Sequence, residues 1–545
     1  MTVTGAELLV GGLESAGVEV CFGLPGVHNL AAWKALAASD IRLVGARHEQ
    51  TAVYAADGYA RASGRVGVAI TTTGPGAANT LGALGEAWAS GSPVVVIATD
   101  IPSSIRRPGV HRGALHEASD QAAMFRPVTK AVLQAAAPGE LRALIHEALA
   151  LATEPPSRPV YVEVPTDLLP AAAEEASPDA SLPELPVPDS DELHRAVAIL
   201  SSAKRPLVWA GGGALRSGAG EAVAAVAERL AAPVFTTNMA RGLIGADHPC
   251  AIGLPPHLPA AGRLWDEADA VLAIGTDFDG MMTQNWAMPP PRHLVAINVD
   301  PADAAKNYEP ELVLVGDAAR VTAELADQLP SRDGVADLQK RLDGLRAGAF
   351  AELEREHPDE MRFLAAFREA VPADAVVVAD MCIPGYWLGA LHPVSGPRRL
   401  AYPMGWGTLG YGFPLSIGSA LADTGPAVCV CGDGGFLYAC GELATVAQER
   451  IPLTVVIVDD GGYGMLRFDQ RHSGDPTFGV DLLTPDFEAM ARSFGIEGES
   501  VDGLGDEFSR ALARQIAADA PTVLVARAAL EPPPTTSPRW YRRTT

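Results

Sequence analysis

The stretch VVIVDDGGYG, residues 455–464, decides how this chain is read. Four apolar β-branched residues in a row fit a strand buried on both faces, as in a parallel sheet covered by helices. Such a strand ordinarily runs out into a bland turn. This one ends in two adjacent carboxylates, Asp459 and Asp460, followed by two glycines. Glycine frees the backbone to turn sharply and lets main-chain N–H groups approach a ligand. Two negative charges beside such a turn suit a hard divalent cation, which takes oxygen ligands.

Upstream, AVCVCGDGG (427–435) is a second apolar strand ending in acid, at Asp433. Between the two, GELATVAQERIP (441–452) reads as the crossover helix of a βαβ unit. That unit brings Asp433 and Asp460, 27 positions apart (460 − 433), to neighbouring strand ends. Ligands of parallel α/β sheets bind beyond the carboxyl ends of the strands. A helix N-terminus behind glycines favours phosphate there, and magnesium usually shares its sphere with such phosphates. Taken singly, GDGG is a tight turn and DD a solvated loop; together, on consecutive strands, they favour a metal site.

The same rhythm runs along all 545 residues. RVGVAITT and PVVVIAT come first, RPLVWAG, ADAVLAIG and HLVAINVD next, DAVVVAD and the two acidic strands last, each separated by Ala-rich helical patterns. The fold class expected is α/β, with three doubly wound parallel-sheet domains at 1–168, 190–330 and 358–530. A chain this long exceeds one core and divides into units of ~150–200 residues. A Pro-, Ala- and acid-rich seam at 168–193 and a charged helical one at 331–360 mark the divisions.

A net charge of −25 argues against nucleic acid or anionic lipid as a partner. The longest apolar runs are strand-sized, so no membrane span is expected. The start, MTVTGAELLV, has no basic segment before an apolar one, which reads as no secretory signal and a cytoplasmic protein. Six cysteines without CxxC spacing read as reduced thiols rather than a structural zinc site.

Residues 432–467, GDGGFLYACGELATVAQERIPLTVVIVDDGGYGMLR, resemble the thiamin-diphosphate motif, GDG followed by about two dozen residues and Asn-Asn. The resemblance implies thiamin diphosphate and Mg²⁺ as cofactors. It makes Asp433, the Asp460 side chain and the Gly462 carbonyl the metal ligands, with Asp459 capping the turn. Gly432, Gly434, Gly435, Tyr463, Gly464 and Met465 would complete the diphosphate cradle. Both motif asparagines are aspartates here, and Gly435 stands where a small hydroxyl residue is common.

Residues 42–80, RLVGARHEQTAVYAADGYARASGRVGVAITTTGPGAANT, resemble the acetolactate synthase group of these enzymes. The resemblance implies that Glu49 hydrogen-bonds the aminopyrimidine and thereby activates the thiazolium carbon. Alone, a strand-end glutamate at a helix start is equally a first-turn charge on the helix dipole. FGLPGVHNL (22–30) would lie beside the pyrimidine through Pro25 and Gly26. In MGWGTLGYGFPLSIGSAL (404–421), Gly407 would offer its carbonyl to the exocyclic amine, and Leu409 would bend the cofactor. Ile383 and Pro384 replace residues that are often polar near the diphosphate.

His28, His116 and Glu117 are the catalytic candidates facing substrate, although a lone histidine is more often structural. Glu117 would act as a carboxylate, or as a proton donor if burial keeps it protonated. The resemblance covers roughly residues 3–530 and is only architectural in the middle block. It implies an enzyme that decarboxylates a small 2-oxo acid, releasing an aldehyde or ligating it to a second carbonyl. It further implies a homodimer at minimum and favours a homotetramer. FAD or ADP in the middle block is possible but not indicated. Two alternatives stand: an acyl-CoA lyase or decarboxylase, and an inactive cofactor-binding regulatory subunit.

Overall fold

In a computed structural model of the chain, residues 3–107, 109–174 and 185–536 are described. Three parallel sheets carry the fold, each flanked by helices. The first orders its strands Arg42–Gly45, Val20–Gly23, Gly67–Thr71, Val94–Asp100, Val160–Pro165 and Ala131–Gln134. The second runs Val234–Thr236, Pro206–Ala210, Ala270–Ile274, Leu294–Asn298 and Leu312–Val315. In the third, Leu400–Ala401, Val376–Ala379, Ala427–Gly432, Leu453–Asp459, Thr522–Arg527 and Glu497–Asp502 follow one another. A short antiparallel pair, Val3–Thr4 with Ala172–Ala173, joins the two ends of the first domain. The charged seam forms the helices Val335–Glu356 and Pro358–Ala370. Part of the other seam, 175–184, lies outside the described residues, as does the C-terminal SPRWYRRTT.

Strand interiors such as Val94–Ala98 and Val428–Cys431 are almost wholly buried. The apolar runs therefore form strands covered on both faces. One core lies between the first and third sheets. Within it the helix Glu49–Ser63 packs against the helix Gly412–Ala420. That approach depends on two glycines. A methyl at Gly58 would overlap the Leu415 carbonyl, and one at Gly418 the Ala55 carbonyl. The packing fixes the N-terminus of Glu49–Ser63, and so Glu49, against the third domain.

Candidate active site

The carboxyl ends of Ala427–Gly432 and Leu453–Asp459 meet as the sequence leads one to expect. Gly432 pairs with Val458, so the acidic ends leave the sheet side by side. Asp433 is 1% exposed and opens a short helix. Its Oδ2 and Asp460 Oδ1 are both shielded from solvent with no hydrogen-bond partner. The nearest cation to Asp460 is the Arg467 guanidinium, 4.0 Å from Oδ1. Burial, then the Asp460 and Asp459 charges, push the Asp433 carboxyl up to about 7. Burial also raises Asp460, against the pull of Arg467.

Two orphaned carboxylate oxygens in one buried corner lack a positive charge, which a dication would supply. The donor set is all oxygen, as magnesium requires. No cluster of three or more His, Cys, Asp or Glu side chains suited to a metal is found among the described residues. Asp433 and Asp460 would hold such an ion beside a phosphate. Asp459 stands apart from this set. Its Oδ1 accepts from Gly461 N at 3.2 Å and caps the turn, as expected.

The glycines are needed where they stand. A side chain at Gly464 would run into Asp460 Oδ2, and one at Gly462 into the Val480 carbonyl. At Gly434 a Cβ would sit 2.7 Å from the Tyr463 ring. Gly435 has a separate explanation. The space of the usual hydroxyl side chain is taken by Asp380, whose Oδ2 would lie 2.5 Å from a Cβ there. Asp380, which the sequence reading missed, is 1% exposed and is pushed up to about 6 by burial. It accepts from Met381, Gly410 and Tyr411 N–H groups at 2.9–3.3 Å, pinning the loop that carries Gly407 and Leu409. Gly407 has φ +62, which suits glycine. Ile383 is 5% exposed and abuts the position of a Gly464 side chain, so this wall is apolar as expected. Met465 packs partly buried against the same core.

Glu49 begins its helix 7% exposed, and its Oε2 accepts from Asn79 Nδ2 at 3.0 Å. A Cβ at Gly76 would lie 3.3 Å from Oε1, so the loop crowds this carboxylate. Gly26 packs on Thr72, where a Cβ would come within 2.6 Å, while Pro25 is exposed. The buried Glu442, 2% exposed, accepts from the Arg47 and His48 N–H groups at 3.0 Å and from the Thr445 hydroxyl at 2.6 Å. This third-domain residue thus sets the approach to Glu49. Neither Glu442 nor Asp380 has a local signal, because each serves N–H groups distant in sequence.

His28 and His116 do come together, with ring centroids 5.3 Å apart. His28 Nδ1 lies 2.8 Å from Thr73 Oγ1, and burial, then His116, hold its imidazole below the usual range. His116 takes a positive φ of 66, and its Nδ1 is buried without a partner. Glu117 behaves differently. Its Oε2 accepts from the Arg112 and Ala114 N–H groups at 2.9 Å, which holds the carboxyl below the usual range. The reading of Glu117 as a protonated donor is therefore corrected: the group is ionised and committed to its own loop. A buried polar residue of this segment is Gln121, 2% exposed, which accepts from Gly74 N at 2.6 Å and donates to Tyr161 and Thr99.

Away from these residues, a cavity of about 460 Å³ opens in the central domain. Gly212 and Gly213 line it with Arg216 and with Arg158 of the first domain. Burial, then Arg158 and Arg398, push Arg216 down to about 10. Residues 200–330 alone show no basic cluster; the structure assembles one across the domain boundary.

Comparison with known proteins agrees with this layout. Three family models match in order: the N-terminal TPP binding domain of thiamine pyrophosphate enzymes over residues 3–124, their central domain over 193–325, and their C-terminal TPP binding domain over 382–526. A Pseudomonas aeruginosa protein described as a probable 2-ketoarginine decarboxylase is 38% identical over 520 residues, covering 94% of this chain and 91% of that one. A probable acetolactate synthase large subunit of Methanocaldococcus jannaschii is 30% identical over 544 residues, covering 95% and 91%. The acetolactate synthase large subunit of Corynebacterium glutamicum is 30% identical over 517 residues, covering 90% and 82%. With three consecutive domains matched and relatives aligned over nearly their whole length, this chain belongs to the thiamine pyrophosphate enzyme family.

Proposed function

We propose that the chain is a magnesium-dependent 2-oxo acid decarboxylase that releases an aldehyde. The observation that carries this is the pair of orphaned, buried oxygens of Asp433 and Asp460 at consecutive strand ends. Bound there, thiamin diphosphate supplies the electron sink for loss of CO₂. Asp433, Asp460 and the Gly462 carbonyl hold the metal, and the glycine turns present N–H groups to the diphosphate. Glu49 shares a proton with the aminopyrimidine, a task that suits a carboxylate in a confined site. His28, kept neutral near pH 7, can accept or donate a proton beside His116. Glu117 shapes the loop that carries His116, and its charge disfavours a second carboxylate nearby.

A homodimer that brings Glu49 of one copy to the diphosphate site of the other is part of the proposal. The 38%-identical relative favours decarboxylation, and a 2-oxo acid with a basic side chain heads the candidate substrates. Carboligation is the second reading, favoured by the acetolactate synthases. FAD in the central cavity, where Arg158 and Arg216 converge, goes with that reading, and ADP there with the acyl-CoA alternative.

The test supplies thiamin diphosphate and Mg²⁺ and offers 2-oxo acids with basic, acidic and apolar side chains. CO₂ and the carbonyl product are followed by NMR, and flavin absorbance of the purified protein is recorded. CO₂ with a stoichiometric aldehyde supports decarboxylation, whereas a 2-hydroxy ketone product shifts the assignment to carboligation. CO₂ from none of the acids contradicts both.

A further inference from the structure

A cavity of about 540 Å³ lies far along the chain from the catalytic carboxylates, where the central domain meets the seam helices. Its floor is the edge strand Val234–Thr236, and its walls come from Val335–Glu356, Pro358–Ala370 and residues 391–394. A volume of this size accommodates a small organic ligand. Most of the lining is apolar, through side chains such as Ile244, Phe350 and Leu364.

The charged groups in the lining are Arg241, Arg346 and Arg368 with Asp247 and Glu354. Arg346 is tied to Asp343 and to the Ala251 carbonyl. Arg241 donates only to neutral carbonyls, those of Gly389, Ala390 and His392, and burial pushes it down to about 10. Arg368 is exposed at the rim. Beside these cations, His392 Nδ1 is buried with no hydrogen-bond partner. For Arg241, half-buried with its donors on neutral carbonyls, a missing counter-charge is costly, and an anion relieves that cost.

The position gives such an anion a route to the cofactor site. The carbonyls capped by Arg241 belong to the C-terminal end of the helix Ile383–Leu391. The first residue of that helix, Ile383, abuts Gly464 of the diphosphate loop. One helix of 9 residues, about two and a half turns, thus has a cationic pocket at one end and the diphosphate loop at the other.

We propose that this cavity is an effector site for a small amphipathic carboxylate, its anionic end on Arg368 and Arg241 and its apolar body against Phe350 and Leu364. The coupling half of this proposal rests on the diphosphate site assigned above; the binding half does not. A ligand that shifts this helix changes cofactor affinity, and the cofactor changes the ligand's affinity by the same factor.

The probe is 4-phenylbutyrate, titrated calorimetrically into the full chain, with neutral 4-phenylbutanamide as control. Arg368→Ala and Ala365→Trp are the variants, since both positions are exposed and the tryptophan fills the cavity from its rim. Expected are one site per chain, at least tenfold weaker binding for the amide and for Arg368→Ala, and none for Ala365→Trp. Saturating probe should also change the affinity for thiamin diphosphate with Mg²⁺ at least threefold, except in Ala365→Trp. Equal binding of acid and amide, or wild-type binding by both variants, overturns the site. Probe binding with unchanged cofactor affinity overturns its role as an effector. A chain that binds the probe but no thiamin diphosphate contradicts the proposed function while supporting the cavity.

Discussion

Replacing Glu442 by alanine should disable the site from a distance. Its carboxylate accepts the Arg47 and His48 N–H groups that lead into Glu49, and it is 2% exposed. Alanine leaves two partly buried main-chain donors without an acceptor, at about 1–3 kcal/mol each. A cavity of about 190 Å³ borders Glu442, so water can reach the orphaned groups. That sets the expected loss at the low end, about 2–3 kcal/mol. Glu442→Gln keeps one acceptor oxygen and should lose about half as much. Urea denaturation followed by circular dichroism measures the difference, and turnover is measured where each variant is folded. Because Glu49 follows directly, Glu442→Ala should also lower turnover at least tenfold, with glutamine in between. Wild-type stability together with wild-type turnover in Glu442→Ala would refute the reasoning.

Four other outcomes follow from the same geometry. Asp433→Ala and Asp460→Ala should each abolish magnesium-dependent cofactor binding, whereas Asp460→Asn keeps an oxygen ligand and should be largely tolerated; calorimetry separates them. Gly435→Ser should destabilise the third domain by about 1–3 kcal/mol, because its Cβ forces Asp380 off its three N–H donors, and thermal melting reads this. Glu117→Gln should leave cofactor binding intact but change turnover or the product ratio, as judged by NMR; unchanged values make Glu117 purely structural. Burial, then Arg241 and Arg368, push His392 down to about 4. The unfolded chain therefore binds the extra proton first, and stability falls as pH drops from about 6.5 through about 4. His392→Phe, which keeps the ring packing on Phe367, should remove about 1–2 kcal/mol of that loss at pH 5, measured by urea midpoints.

The strands were legible because each is a short apolar run bounded by glycine or charge. RPLVWAG becomes Pro206–Ala210, and LTVVIVDD becomes Leu453–Asp459. The meeting of Asp433 and Asp460 was legible as well, since they lie at the ends of consecutive strands and need only one crossover to meet. Groups that act across long stretches of chain were not. Asp380 grips the loop at 410–411, Glu442 grips residues 47–48, and Glu86 takes the Thr408 hydroxyl at 3.1 Å while pairing with the buried Arg61. Their partners are fixed by tertiary packing, which local periodicity does not encode. Glu117 shows the converse. Its place in the motif suggested a substrate-facing group, yet the turn at 112–114 takes its carboxylate. The arginines of the central cavity escaped notice for the same reason as Glu442, because Arg158 and Arg216 belong to different domains.

The most direct test of the account is hydrogen–deuterium exchange at the thiazolium carbon of thiamin diphosphate bound to the chain with Mg²⁺, comparing wild type with Glu49→Gln. The account predicts exchange much faster than in free cofactor for the wild type, and at least a hundredfold slower in a mutant that still binds cofactor. Equal exchange in the two proteins would contradict it and move the activating role away from Glu49.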